Sequence, residues 1–255
     1  MKTYDIVIVA HEKDFNNIKY IVEYSEKNLN FDSVHLILSE RKEFEDLEKL
    51  KSLTDRPIYI HKETDVLMVD KNRISHRPNW IYQMLLKMFQ NVTLNDNFLI
   101  IEADCVILSK LDFFNDDKTI IYLTRDQYHE QYFNFNKLFG FDREYNYSFI
   151  SEFIMYDKKI INDMLSRFNC NSVNDFLEIL YNNTNSNCYL ADYEFYGNFC
   201  YKYHREKLEF KNLAWDLTGK YSDGTFPSWS DSEIDELIQK NSDKDVISFH
   251  TWGEN

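Results

Sequence analysis

The chain has 255 residues, enough for one large α/β domain or for one with an appended helical piece. Its 44% hydrophobic and 28% charged residues exclude wholesale disorder. The net charge of −14 argues against nucleic acid and anionic membrane surfaces as partners. An acidic chain still accepts an anionic ligand where the site supplies its own positive charge, and a bound divalent metal is the simplest source. The four cysteines, Cys105, Cys170, Cys188 and Cys200, include no CxxC pair, so reduced thiols and a cytoplasmic location are expected. The first residues do not read as a signal peptide, and no apolar run reaches membrane-spanning length.

The elements follow in chain order. YDIVIVA (Tyr4 to Ala10) is a near-continuous apolar run, the pattern of a strand buried on both faces. Asp14 is placed to cap a helix running to about Asn28. Val34 to Glu40 reads as a strand, Arg41 to Ser52 as a charged surface helix, and Pro57 to His61 as a third strand. This alternation predicts a mostly parallel α/β sheet flanked by helices. Arg77 to Gln90 is a helix with Pro78 in its first turn and an apolar face of Trp80, Ile81, Met84, Leu85, Met88 and Phe89. NFLIIEADCVIL follows, its apolar run broken at Glu102 and Asp104. Thr119 to Thr124 and Ser148 to Asp157 read as strands. The intervening stretch to about Tyr147 carries no clear period. Helices are expected at Lys159 to Phe168, at Val173 to Tyr181 and from about Asp192, and a final strand in DVISFHTW. No repeat, linker or low-complexity block marks a boundary, so residues 1–255 read as a single domain.

Glu102-Ala103-Asp104 is the sharpest local feature. Two carboxylates separated by one residue point the same way from a strand. Open α/β sheets bind ligands at the carboxyl ends of their strands, where such a pair holds a hard divalent cation. The plainer alternative is a strand ending in solvent with two surface acids. Gln83 and Lys87 lie four residues apart and share one helix edge, which is either a solvated edge or a ligand-facing one. Asp192 suits an N-cap, and Glu194 suits a first helical turn where the dipole favours an acid.

Arg77, Trp80, Gln83 and Lys87, then Glu102-Ala103-Asp104, then SEFIMYD (Ser151 to Asp157), ADYEFYGNF (Ala191 to Phe199) and Phe249-His250 occur in that order. The ordered set resembles a family of bacterial and viral GT-A glycosyltransferases. There a helix reads Trp-x-x-Gln-Gln-x-x-Lys and a strand ends in Asp-Ala-Asp. The chain departs from that pattern with Glu102 for the first Asp, Met84 for the second Gln, Asn79 for a Gly and Phe153 where a His is usual. The resemblance implies a GT-A fold with a nucleotide-binding half over about 1–110. An acceptor half with a C-terminal metal-ligand strand would fill about 111–255. It implies a metal site of Asp104, Glu102 and His250, and carboxylate plus imidazole suits manganese better than magnesium. It places Arg77, Gln83 and Lys87 on the donor side, the two cations beside the diphosphate, with His11 at the nucleotide-facing end of the first strand. An acceptor-side base is expected at Glu194, with Asp192 and then Glu152 as alternatives. The implied reaction moves a sugar from a nucleoside-diphosphate donor, expected to be UDP-linked, to a hydroxyl on a glycan or other acceptor. Two other readings are a non-catalytic sugar-nucleotide-binding scaffold and a sugar nucleotidyltransferase. The second lacks its phosphate-cradling Gly loop, since VAHEKDF follows the first strand.

Overall fold

A computed structural model describes residues 2–11, 14–39, 50–124, 127–222 and 229–253. The central sheet has five strands in the order β3-β2-β1-β4-β8. β1 (Asp5–Ala10), β2 (Val34–Leu38), β3 (Ile58–Lys62) and β4 (Asn97–Ile101) are parallel, and β8 (Phe153–Asp157) closes one edge antiparallel to β4. The α/β architecture with a mostly parallel sheet is the one expected. β1 sits between β2 and β4, which is why every one of its residues is buried. Its side chains alternate between two cores: Val7 and Val9 face one, Ile6 and Ile8 the other. Helix α1 (Phe15–Asn28) supplies Ile18, Ile21 and Val22 to the second core. The single-turn helix α2 (Glu63–Val66) and α3 (Pro78–Phe89) supply the first, with Pro78 in the first turn of α3 as the sequence predicts.

Two small sheets flank the centre. β5 (Cys105–Ile107) pairs antiparallel with β11 (Val246–Gly253), which runs parallel to β10 (Trp215–Ser222). β6 (Phe114–Asn115), β7 (Lys118–Leu123) and β9 (Leu208–Asn212) form the third sheet. Helices α4 (Glu130–Lys137), α5 (Lys158–Arg167), α6 (Val173–Asn183) and α7 (Asp192–Tyr203) pack residues into the first core, and α8 (Asp231–Lys240) adds Ile234 to the second. β8 comes from the later stretch of chain yet lies in the central sheet, and β5 from the earlier stretch pairs with β11.

Several expectations change. The strand expected from Ser148 begins only at Phe153, because Glu152 takes a left-handed backbone (φ 65°) that ends extended pairing. Asp14 occupies the N-cap position of α1, but its side chain forms no capping hydrogen bond. Ala191, not Asp192, is the N-cap of α7. The helix expected at 41–52 lies mostly outside the described residues. α4, β9, β10 and α8 were not expected, although Ser230 and Glu233 form a capping box that marks the start of α8 in the sequence. All four cysteines are free, and no helix among the described residues is long and apolar enough to cross a membrane.

Candidate metal centre

In the strand order 3-2-1-4, the chain leaves β1 for β2 on one side, and β4 flanks β1 on the other. The crevice at such a switch point lies at the carboxyl ends of the strands. β4 ends there at Ile101, immediately before Glu102-Ala103-Asp104.

Antiparallel register explains what joins these acids. Ile101 pairs with Phe153, so the residue after β4 lies beside the residue before β8, and the Glu102 N–H donates to the Glu152 carbonyl at 2.9 Å. Ser248 pairs with Cys105 in the neighbouring sheet, so β11 runs back past Asp104, and the Phe249 N–H donates to the Asp104 carbonyl at 2.9 Å. Two strand registers thus carry Asp104, Glu152 and His250 to one place, with one ligand atom from each within 4.8 Å of the others. His250 Nε2 lies 3.4 Å from Glu152 Oε2 and 3.9 Å from Asp104 Oδ2. Asn17 of α1 donates to the Ala103 carbonyl at 3.1 Å and fixes the turn from below.

The electrostatics are those of crowded acids around an imidazole. Burial pushes the Asp104 carboxyl up to about 7, opposed by His250 and reinforced by Glu152. Burial works against protonation of His250, but Glu152 and then Asp104 outweigh it and lift the imidazole to about 9. Two carboxylates and an imidazole, converging with a compensating charge wanted between them, fit a divalent cation.

Glu102 is not in this cluster. Its carboxylate accepts from Lys87 Nζ at 2.5 Å and from the Tyr193 hydroxyl at 2.7 Å. Lys87 is itself buried, with Asp192 Oδ2 a further 3.9 Å away. Burial disfavours its charge, yet Asp192 and Glu102 together hold it protonated. Lys87 therefore balances the buried Asp192 and the part-buried Glu102, and does not point into open solvent as a free diphosphate ligand would. Asp192 accepts from the Tyr156 hydroxyl at 3.2 Å, and burial raises its carboxyl to about 6 against the pull of Lys87. Glu194 is buried, with both oxygens engaged by Ser148 at 2.5 Å, the Phe149 N–H at 3.2 Å and Asn198 at 3.0 Å. Gln83 is half-buried on α3. Arg77 is exposed just before Pro78, and His11 is exposed just after β1, its carbonyl accepting from the Asp14 N–H. The sequence expected Asp104 and His250 in one metal site and Glu152 on the acceptor side; the structure brings the three side chains together. The signal for the place of Glu152 was the antiparallel pairing of SEFIMYD with the strand before Glu102, which no local pattern carries.

The model of a family described as a family of unknown function, DUF6492, matches residues 5–215. No curated protein matches the chain. Among solved structures, the apo form of mouse xyloside xylosyltransferase 1 is similar at 10% identity and a TM-score of 0.49, over 97% of this chain and 98% of that one. The apo structure of the bifunctional glycosyltransferase WbbM is similar at 12% identity and a TM-score of 0.47, over 100% of this chain and 46% of that one.

Proposed function

We propose that this chain, which belongs to the DUF6492 family, is a metal-dependent GT-A glycosyltransferase that moves a sugar from a nucleoside-diphosphate donor to an acceptor hydroxyl. One observation carries the reading: Asp104, Glu152 and His250 converge at the carboxyl edge of the central sheet. The motifs that resemble the glycosyltransferase pattern support it, because all three residues lie in them, Asp104 and His250 as expected metal ligands and Glu152 as an expected acceptor-side acid. Asp104, Glu152 and His250 are the residues that would hold the ion, with manganese preferred to magnesium for a set that includes imidazole. When bound there, a divalent ion supplies a Lewis acid for the departing diphosphate.

The chain's own residues do the rest. The Lys87–Glu102–Tyr193 contacts hold the Glu102-Ala103-Asp104 turn in place and keep Glu102 out of the ligand set. Asp192 and Glu194 are enclosed and fully partnered, so we read Glu194 as the clamp of the turn at Ser148 and Phe149 rather than as the acceptor's base. The GT-A reading and its UDP-linked donor are tested together by incubating the protein with a panel of UDP-sugars, with and without manganese. Manganese-dependent release of UDP is the expected outcome. UDP binding without any release, with or without added glycans, would instead support the scaffold reading.

A further inference from the structure

We infer that a second recognition surface, built on the start of α3, binds the acceptor as a saccharide ring bearing an acidic group; this rests on the transferase reading above. Trp80 lies seven residues before Lys87, two helical turns nearer the start of α3 and on the same stripe, so about 10 Å from it along the axis. There it meets rings from two other segments. Trp80 lies 6.1 Å from Tyr132 and 5.8 Å from Tyr189, which lie 5.4 Å from each other. His76 lies 4.8 Å from Tyr189, and His129 lies 4.9 Å from Tyr132. The two tyrosines are buried and form a floor. His76 and Trp80 are half-buried, and His129 is exposed.

A packed core would cover such rings on all sides. Here a patch of aromatic faces and imidazole edges reaches the surface at the start of α3, the composition that suits the apolar face and the hydroxyl edge of a sugar ring. Tyr132 and Tyr189 come from the later stretch of the chain, outside β1 and β4, at whose carboxyl ends a nucleotide would lie.

Arg77 gives the surface its charge preference. Its backbone is left-handed (φ 48°), a conformation that L side chains rarely adopt, and its guanidinium carbon stands 4.2 Å from the centroid of the Trp80 ring. Stacking occupies the guanidinium face and leaves the N–H edge to donate. Among the described residues no carboxylate pairs with Arg77, although exposed arginines elsewhere, Arg73 and Arg167, are paired with Glu178 and Asp163. In a chain of net charge −14, an arginine with no paired acid beside these rings matches a carboxylate on a saccharide seated against them.

Saturation-transfer NMR on the whole chain, with methyl glycosides of glucose, galactose, N-acetylglucosamine and glucuronic acid, tests this. The parent should transfer saturation to the glycoside ring protons, most strongly to the glucuronide. Trp80→Leu, with its melting temperature checked, should abolish transfer to all four. Arg77→Ala, at an exposed position, should reduce the glucuronide to the level of the neutral glycosides. UDP binding in the presence of manganese should be unchanged in Trp80→Leu. No transfer in the parent, or full transfer in Trp80→Leu, would overturn the site. Equal transfer to neutral and acidic glycosides in the parent would overturn its acidic preference. The NMR readout needs no metal, donor or turnover. Glycoside binding without UDP binding would therefore sink the transferase reading and leave the saccharide site standing.

Discussion

Glu102 and Asp104 are two residues apart, and their carboxylates have different partners. Asp104 faces His250, whereas Glu102 is held by Lys87 and Tyr193. The two acids therefore respond differently to replacement. Glu102→Gln leaves Lys87 buried with only Asp192 beside it, and should cost about 3 kcal/mol of stability in a urea titration. Its metal-linked UDP affinity should change by less than roughly tenfold, about 1.4 kcal/mol. A larger loss of affinity with unchanged stability would return Glu102 to the ligand set. Glu194 makes a second residue-level claim. Burial lifts its carboxyl to about 7 from an ordinary value near 4.5, against the opposing hydrogen bonds of Ser148, Phe149 and Asn198. The folded chain thus holds this proton more tightly than the unfolded chain does. The stability it contributes is fully present below about pH 4.5 and falls as pH rises to about 7, by about 3 kcal/mol. Urea midpoints of the parent measured from pH 4 to pH 8 should show that decline, and the difference between parent and Glu194→Gln should change sign or magnitude across the same window. A difference that is flat with pH would contradict the assignment.

At the scale of elements, α7 explains why ADYEFYGNF has its composition. Tyr193 reaches Glu102, the Tyr196 hydroxyl accepts from the Asp157 N–H at 2.9 Å, and Asn198 accepts from the Glu144 N–H at 2.7 Å. Gly197 leaves the space that the Phe149 ring fills. Through Glu194 and Asn198 this segment holds the loop before β8, which is the basis of the proposal that it places Glu152 rather than supplies the acceptor's base. Gly197→Ala gains about 1 kcal/mol of helix propensity. It should nonetheless lose about 1–3 kcal/mol overall, because the added methyl collides with Phe149. A lowered urea midpoint together with weaker metal-linked UDP binding is the expected pair of results; a more stable protein would mean that the loop yields freely. The strands β1, β2, β3 and β4 and the helix α3 were legible because continuous apolar runs and a 3.6-residue stripe are local signals. β9 and β10 were not, since LEFKN and the residues 215–220 mix buried, half-buried and exposed positions without strict alternation and owe their pairing to strands far away in sequence.

At the scale of the molecule, the candidate centre is a product of topology. β4 provides Asp104 at its carboxyl end, the antiparallel edge strand β8 brings Glu152, and β11 brings His250 across from the second sheet. Residues 102–104 and 249–250 were legible because a motif resemblance tied them to a site. The position of Glu152 beside Asp104 and His250, with Glu102 turned to Lys87, was not, because it depends on strand register and on a buried lysine claiming one acid. The central claim is that these three side chains form one metal site that serves a nucleotide. Calorimetric titration of UDP into the parent and into Asp104→Ala, each with and without manganese, tests it most directly. Manganese-dependent UDP binding is expected in the parent, weakened at least about tenfold in Asp104→Ala, a loss of about 1.4 kcal/mol or more. Undiminished manganese-linked UDP binding in Asp104→Ala would contradict it.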